Sequence, residues 1–87
     1  MVVKNNELAD LFGRNLKAAR VRRRINQEEL CALANIDRSY LSKIENGNCK
    51  IALEKVYELA QALKCPLDEL LPSIDCIANQ CDALRGN

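Results

Sequence analysis

Arg38, Ser39, Ser42 and Lys43 fall within six residues of one another and form a stretch rich in hydrogen-bond donors. Arginine can present two parallel N–H groups to one planar edge, such as that of guanine, while lysine offers a compact point charge. The chemistry available here is recognition of anions or base edges, and no bond need be made or broken. Five cysteines, at 31, 49, 65, 76 and 81, are the other reactive groups. The chain contains no histidine, no Cys-x-x-Cys pair and no Gly-rich phosphate loop. Serine–histidine or cysteine–histidine pairing is therefore impossible, and an enzyme is not expected. Cys76 and Cys81 lie five apart, a poor spacing for two metal ligands on one helix face. An odd cysteine count also argues against a disulfide framework. The thiols read as small apolar groups, with a redox role for Cys76 and Cys81 as the alternative. No metal, cofactor or small-molecule ligand is expected.

The elements that must position the donors are helical throughout, and no segment alternates as a strand would. A first helix is predicted over 7–23, capped by Asn6, with Leu8, Leu11, Phe12, Leu16 and Ala19 as its apolar stripe. Arg20, Arg22, Arg23 and Arg24 crowd its C-terminal end, where cations suit the helix dipole. For the cluster 22–24, solvent exposure near a polyanion is the competing role. A second helix is predicted over 27–34, opened by the capping-box pattern of Asn26 and Glu29, with Leu30, Cys31, Leu33 and Ala34 inward. Asn35, which tolerates left-handed backbone, should end it sharply.

A third helix is predicted over 38–45, capped by Asp37 and stopped by Asn46-Gly47, with Leu41 and Ile44 inward. Only three residues separate it from the second helix, so the two must cross steeply. A fourth helix is predicted over 53–63, with Leu53, Val56, Leu59, Ala60 and Leu63 on its apolar face. Pro66 should open a fifth as a first-turn residue, with Leu67, Leu70 and Leu71 apolar and Pro72 stopping it. Beyond Ser73, Ile74, Ile77, Cys81 and Leu84 share one face of a candidate sixth helix. The second and third helices cannot be stable alone, so the others must cover their apolar side and leave Arg38, Ser39, Ser42 and Lys43 outward.

Eighty-seven residues make one domain, and at 3% aromatics its core must come from Leu, Ile, Val, Ala and Cys. The net charge of +1 conceals a split: residues 1–50 hold ten Lys/Arg against six Asp/Glu, and residues 51–87 hold three against six. The first half could face a polyanion and the second should not, with ordinary surface variation as the alternative. No apolar run approaches the roughly 18 residues of a membrane span. The stretch from Met1 to Asp10 lacks the apolar core of a secretory signal, so a cytoplasmic location is expected.

The stretch INQEELCALANIDRSYLSKIENG, from Ile25 to Gly47, with LEKVYELAQALKCPLDELL after it, resembles the Cro/repressor (XRE) helix-turn-helix family. The likeness runs from Phe12 to Leu71, about 60 of the 87 residues. The start Asp37-Arg38-Ser39-Tyr40 is also similar to controller proteins of restriction–modification systems. The resemblance implies an all-α, compact five-helix lambda-repressor-like DNA-binding domain over 1–72, with a tail over 73–87 that is a candidate sixth helix associated with a dimer. It implies a sequence-specific transcriptional regulator acting on double-stranded DNA. Gln27 would then touch a phosphate and brace the third helix. Arg38, Ser39, Tyr40 and Lys43 would read base edges or nearby phosphates, with Arg38 foremost, and Asn46 would donate to a phosphate. Tyr40 could equally serve packing. Arg20 and Glu45 match a partly buried ion pair of the family. Three departures stand out: Asn35 where glycine is frequent, Cys31 where alanine is usual, and Ala52 where Ser or Thr usually caps the fourth helix.

One recognition helix covers too few base pairs, so a homodimer reading a two-fold symmetric operator is expected. The resemblance implies pairing through the fifth helix and nearby residues, which makes Leu67, Leu70, Leu71, Ile74 and Ile77 the candidate interface; the alternative is that they finish the core of one copy. Two other readings keep the same fold: a protein-interaction module or antitoxin that does not touch DNA, and a redox-responsive regulator.

Overall fold

A computed structural model of the chain describes residues 5–73. The five helices are α1 (Asn5–Arg22), α2 (Gln27–Ala34), α3 (Arg38–Glu45), α4 (Leu53–Leu63) and α5 (Leu67–Leu70). No strand occurs among the described residues. α1 packs on α3 and α5, α2 packs on α3 and α4, and α4 packs on α5. The core is aliphatic save for Phe12: Leu16, Leu30, Leu41, Leu59 and Leu70 have no exposed surface, and Ile44, Val56 and Leu63 are nearly enclosed. The candidate sixth helix, with Ile74, Ile77, Cys76, Cys81 and Leu84, lies outside the described residues.

Local chemistry explains the two short helices. The Asn26 side chain accepts from the Glu29 amide while the Glu29 carboxylate accepts from the Asn26 amide, both at 2.8 Å, so two orphan donors at the start of α2 are satisfied. Asn35 takes the left-handed conformation (φ 57°, ψ 49°) and ends α2. Two residues later the Asp37 carboxylate accepts from the Tyr40 amide at 2.7 Å and opens α3. Ala52 makes no side-chain cap, so α4 starts bare.

Two glycines let α1 come close to the end of α3. A methyl group on Gly13 would sit 2.7 Å from the Glu45 carbonyl oxygen. Gly47 has φ +73°, and a methyl there would sit 2.7 Å from the Asp10 Cα.

Several sequence expectations are corrected. α1 begins at Asn5, so Asn6 lies within the helix and is not its cap. Leu33 and Leu53 face solvent, at 59% and 69% exposure, because the inward surfaces of α2 and α4 are already filled by Leu30 and Ala34 and by Val56, Leu59 and Leu63. Leu8 is likewise exposed at the edge of the α1 stripe. Pro66 is the N-cap of α5 and not its first helical residue, and α5 is a single turn. Cys31, Cys49 and Cys65 are free and only half-buried. Burial still pushes the Cys31 and Cys65 thiols above their ordinary value, which keeps them protonated.

Candidate nucleic-acid interface

α3 divides into two faces. Leu41, Ile44 and Glu45 are buried, while Arg38, Ser39 and Lys43 are exposed and Tyr40 and Ser42 are half-buried. Asn46, just past the helix, is exposed as well. Tyr40 packs against the core with part of its ring and keeps the rest open. The N-terminus of α3, where the peptide dipoles leave a partial positive charge, thus carries Arg38 and Ser39 outward.

The buried side of α3 is fixed by charge as well as by packing. Arg20 Nε donates to Glu45 Oε2 at 2.7 Å, and Arg20 Nη2 donates to Glu45 Oε1 at 3.2 Å. Arg20 Nη1 also donates to the Ile25 carbonyl at 2.8 Å, in the turn between α1 and α2. One guanidinium therefore binds the end of α1, the α1–α2 turn and the end of α3. Among the described residues, no buried side-chain nitrogen or oxygen lacks a partner.

Gln27 extends this network to the surface. Its Nε2 donates to Glu45 Oε1 at 3.0 Å, and its Oε1 accepts from Arg38 Nε at 3.2 Å. An unbroken series runs from Arg20 through Glu45 and Gln27 to Arg38. Arg38 also stands 4.0 Å from a Glu28 carboxylate oxygen, a loose contact on the surface. Its aim is thus restrained without being locked. The Gln27 amide holds Glu45 with one N–H and keeps a second for an outside acceptor.

The arginine cluster at the end of α1 has a partner that its own neighbourhood in sequence does not reveal. Arg23 makes two hydrogen bonds to Glu69 of α5, at 2.7 and 2.9 Å, and Arg22 adds a third at 2.9 Å. The hydrogen bonds from Arg23 and Arg22 lower the Glu69 carboxyl to about 2. These two arginines therefore tie α1 to α5, whereas Arg24 is exposed in the α1–α2 turn. Asn15 adds a second tie, donating to the Leu70 carbonyl at 3.0 Å. Gly13, Asn15 and Glu69 are the structural residues that sequence reasoning missed. Gly13 has a weak signal, since glycine inside a helical pattern implies close approach; Asn15 and Glu69 have none.

Of the residues expected at a dimer interface, Leu70 is enclosed in the monomer core and offers no surface to a second copy. Leu67 is half-buried, Leu71 is 39% exposed, and Ile74 and Ile77 lie outside the described residues.

Comparison with known proteins agrees with this architecture. The helix-turn-helix family model matches residues 16–70. Control protein C.MunI from Mycoplasma sp is 32% identical over 71 residues, which span 80% of this chain and 96% of that protein. The crystal structure of the restriction-modification controller protein C.AhdI from Aeromonas hydrophila superposes with a TM-score of 0.69 at 33% identity, covering 72% of this chain and 96% of that one. The hypothetical transcription factor NHTF from Neisseria gives a TM-score of 0.72 at 25% identity, covering 100% of this chain and 93% of that one. With its capped α2–α3 pair, the outward polar face of α3 and these relatives, the chain belongs to the Cro/repressor (XRE) type of the helix-turn-helix family.

Proposed function

We propose that the chain is a sequence-specific DNA-binding regulator of transcription that works as a homodimer, each copy placing α3 in the major groove of one half-site. The observation that carries this reading is the exposure of Arg38, Ser39 and Lys43 on a helix whose other side is locked to α1 by a buried ion pair. A major groove admits one helix of this kind, and its base edges are read by bidentate arginine and by lysine. In this reading Arg38 reads base edges first and Lys43 second. Ser39 adds contacts beside them, and Gln27, Tyr40 and Asn46 meet phosphates. Two copies meet at the α5 end, where Leu67 and Leu71 retain apolar surface, and face two half-sites about one DNA turn apart.

In this reading the chain acts on DNA in the cytoplasm; no helix among the described residues is long and apolar enough to cross a membrane. Binding, and no covalent reaction, is the activity. C.AhdI is a restriction-modification controller, and we read this chain as a regulator of that kind.

Selection from a pool of random duplexes tests the reading. It should enrich a two-fold symmetric sequence, and log affinity for that sequence should fall linearly with log salt concentration. Failure to enrich any sequence, or binding indifferent to salt, would refute the proposal.

A further inference from the structure

A groove of about 490 Å³ opens between the N-terminal half of α1 and the start of α4. Leu8, Phe12, Leu53, Val56, Leu71 and Pro72 are among the side chains that line it, and Lys50 is its one charged neighbour. Leu8, Leu53 and Leu71 are also the exposed large apolar residues at its margins, at 37%, 69% and 39%. None of these side chains belongs to the recognition face of α3. The depression is apolar and contiguous, and three exposed leucines stand at its margins.

We infer that the groove is the seat of the chain's own C-terminal segment, residues 74–84, held through the face formed by Ile74, Ile77, Cys81 and Leu84. Chain continuity is the first argument. Leu71 and Pro72 are themselves part of the groove lining, and the described chain leaves it at Ser73. No linker has to be spanned before Ile74. The pattern of the segment is the second. Its apolar residues recur at intervals of three, four and three, which collects them on one side of a helix. Eleven helical residues extend about 16 Å, the length of α4 beside which they would lie. Charge is the third. The segment 74–84 carries Asp75 and Asp82 and no basic residue, while the groove is flanked by Lys50.

The same tether decides between the segment and a second copy of the chain. A short connection holds the segment at an effective concentration in the millimolar range. A free second copy competes only at comparable protein concentrations. The assignment takes Ile74, Ile77 and the part of Leu71 that lines the groove out of the pairing surface where the family resemblance puts them, and leaves Leu67 of α5 to meet a partner. It does not depend on DNA binding.

Methyl NMR on the full chain tests this. With Ile, Leu and Val methyls labelled, cross-relaxation is expected between Ile77 and the methyls of Leu53, Val56 or Leu8. In a mixture of labelled and unlabelled chains, filtered to report only contacts between chains, those cross-peaks should vanish. Persistence in the filtered spectrum would make a second copy the occupant and overturn the assignment, and absence from both spectra would overturn it equally. The full-length variant Ile77→Asp gives an independent reading. It should shift the Leu53 and Val56 methyl resonances and raise the fluorescence of a dye that binds apolar surface. Unchanged resonances and fluorescence would refute the assignment.

Discussion

Arg20 on α1 and Glu45 at the last position of α3 meet through two hydrogen bonds, at 2.7 and 3.2 Å, with neither residue more than 8% exposed. They stand 25 residues apart in the chain, and the contact joins the last turns of α1 and α3. Removing one partner strands the other charge in a site from which water is largely excluded. Glu45→Ala is therefore expected to cost about 3–5 kcal/mol in urea or thermal unfolding. Replacing both partners by apolar residues, Arg20→Met with Glu45→Leu, should recover much of that loss. An unchanged melting temperature for Glu45→Ala would show that the pair is solvated in solution.

Arg38 is bound to the same network only through Gln27, on the outside of the molecule. Arg38→Ala should leave the melting temperature nearly unchanged and weaken binding to a selected duplex by about 1–3 kcal/mol relative to its base-substituted versions. Equal weakening for every sequence would make Arg38 a phosphate contact. Gln27→Ala should shrink the same discrimination indirectly, because Arg38 loses its restraint. It should also cost about 1 kcal/mol of stability through the bond to Glu45. Competition binding against a panel of single-base variants reads out both effects.

Two effects oppose each other at Gly13. Alanine is the better helix former by about 1 kcal/mol. Against that, its methyl would sit 2.7 Å from the Glu45 carbonyl oxygen, a backbone atom that moves only if α3 moves. Overpacking of this kind costs about 1–3 kcal/mol, so Gly13→Ala should be net destabilising and should also weaken DNA binding by tilting α3. Urea unfolding gives the sign directly, and a more stable variant would contradict the tight crossing.

Glu69 contributes to the acid limb of stability. Its carboxyl is lowered from 4.5 to about 2 by Arg23 and Arg22. The folded state therefore holds the ionised form more tightly than the unfolded chain does. The stabilisation is fully present above about pH 5 and is lost as pH falls through the interval toward 2. In melting experiments, the deficit of Glu69→Gln relative to the parent chain should be constant near neutral pH and shrink toward pH 2. A deficit independent of pH would mean that the arginines hold Glu69 by shape alone.

What could be read in the sequence was local. The box of Asn26 and Glu29, the left-handed Asn35 and the cap at Asp37 each act within four residues, so α2, the turn and α3 were placed at their observed limits. Contacts over long separations were hidden. Arg22 and Arg23 at a helix C-terminus are adequately explained by the dipole, and nothing near them points 46 residues ahead to Glu69. The approach of α1 to α3 at Gly13 depends on a crossing that periodicity does not encode. Leu33 and Leu53 satisfy a helical apolar pattern but lie beyond the width of the faces actually buried. The meeting of Arg20 with Glu45 was expected from family resemblance, because the spacing of the two residues carries no such signal.

The two faces of α3 answer to different demands. Positions 41, 44 and 45 are committed to holding the molecule together, whereas the side chains at 39 and 43 are exposed to solvent. Descendants of this chain could exchange residues at those outer positions and acquire new targets while remaining equally well folded. Position 38 is less free: its coupling to Gln27 means that a successful replacement there should often be accompanied by a change on the preceding helix.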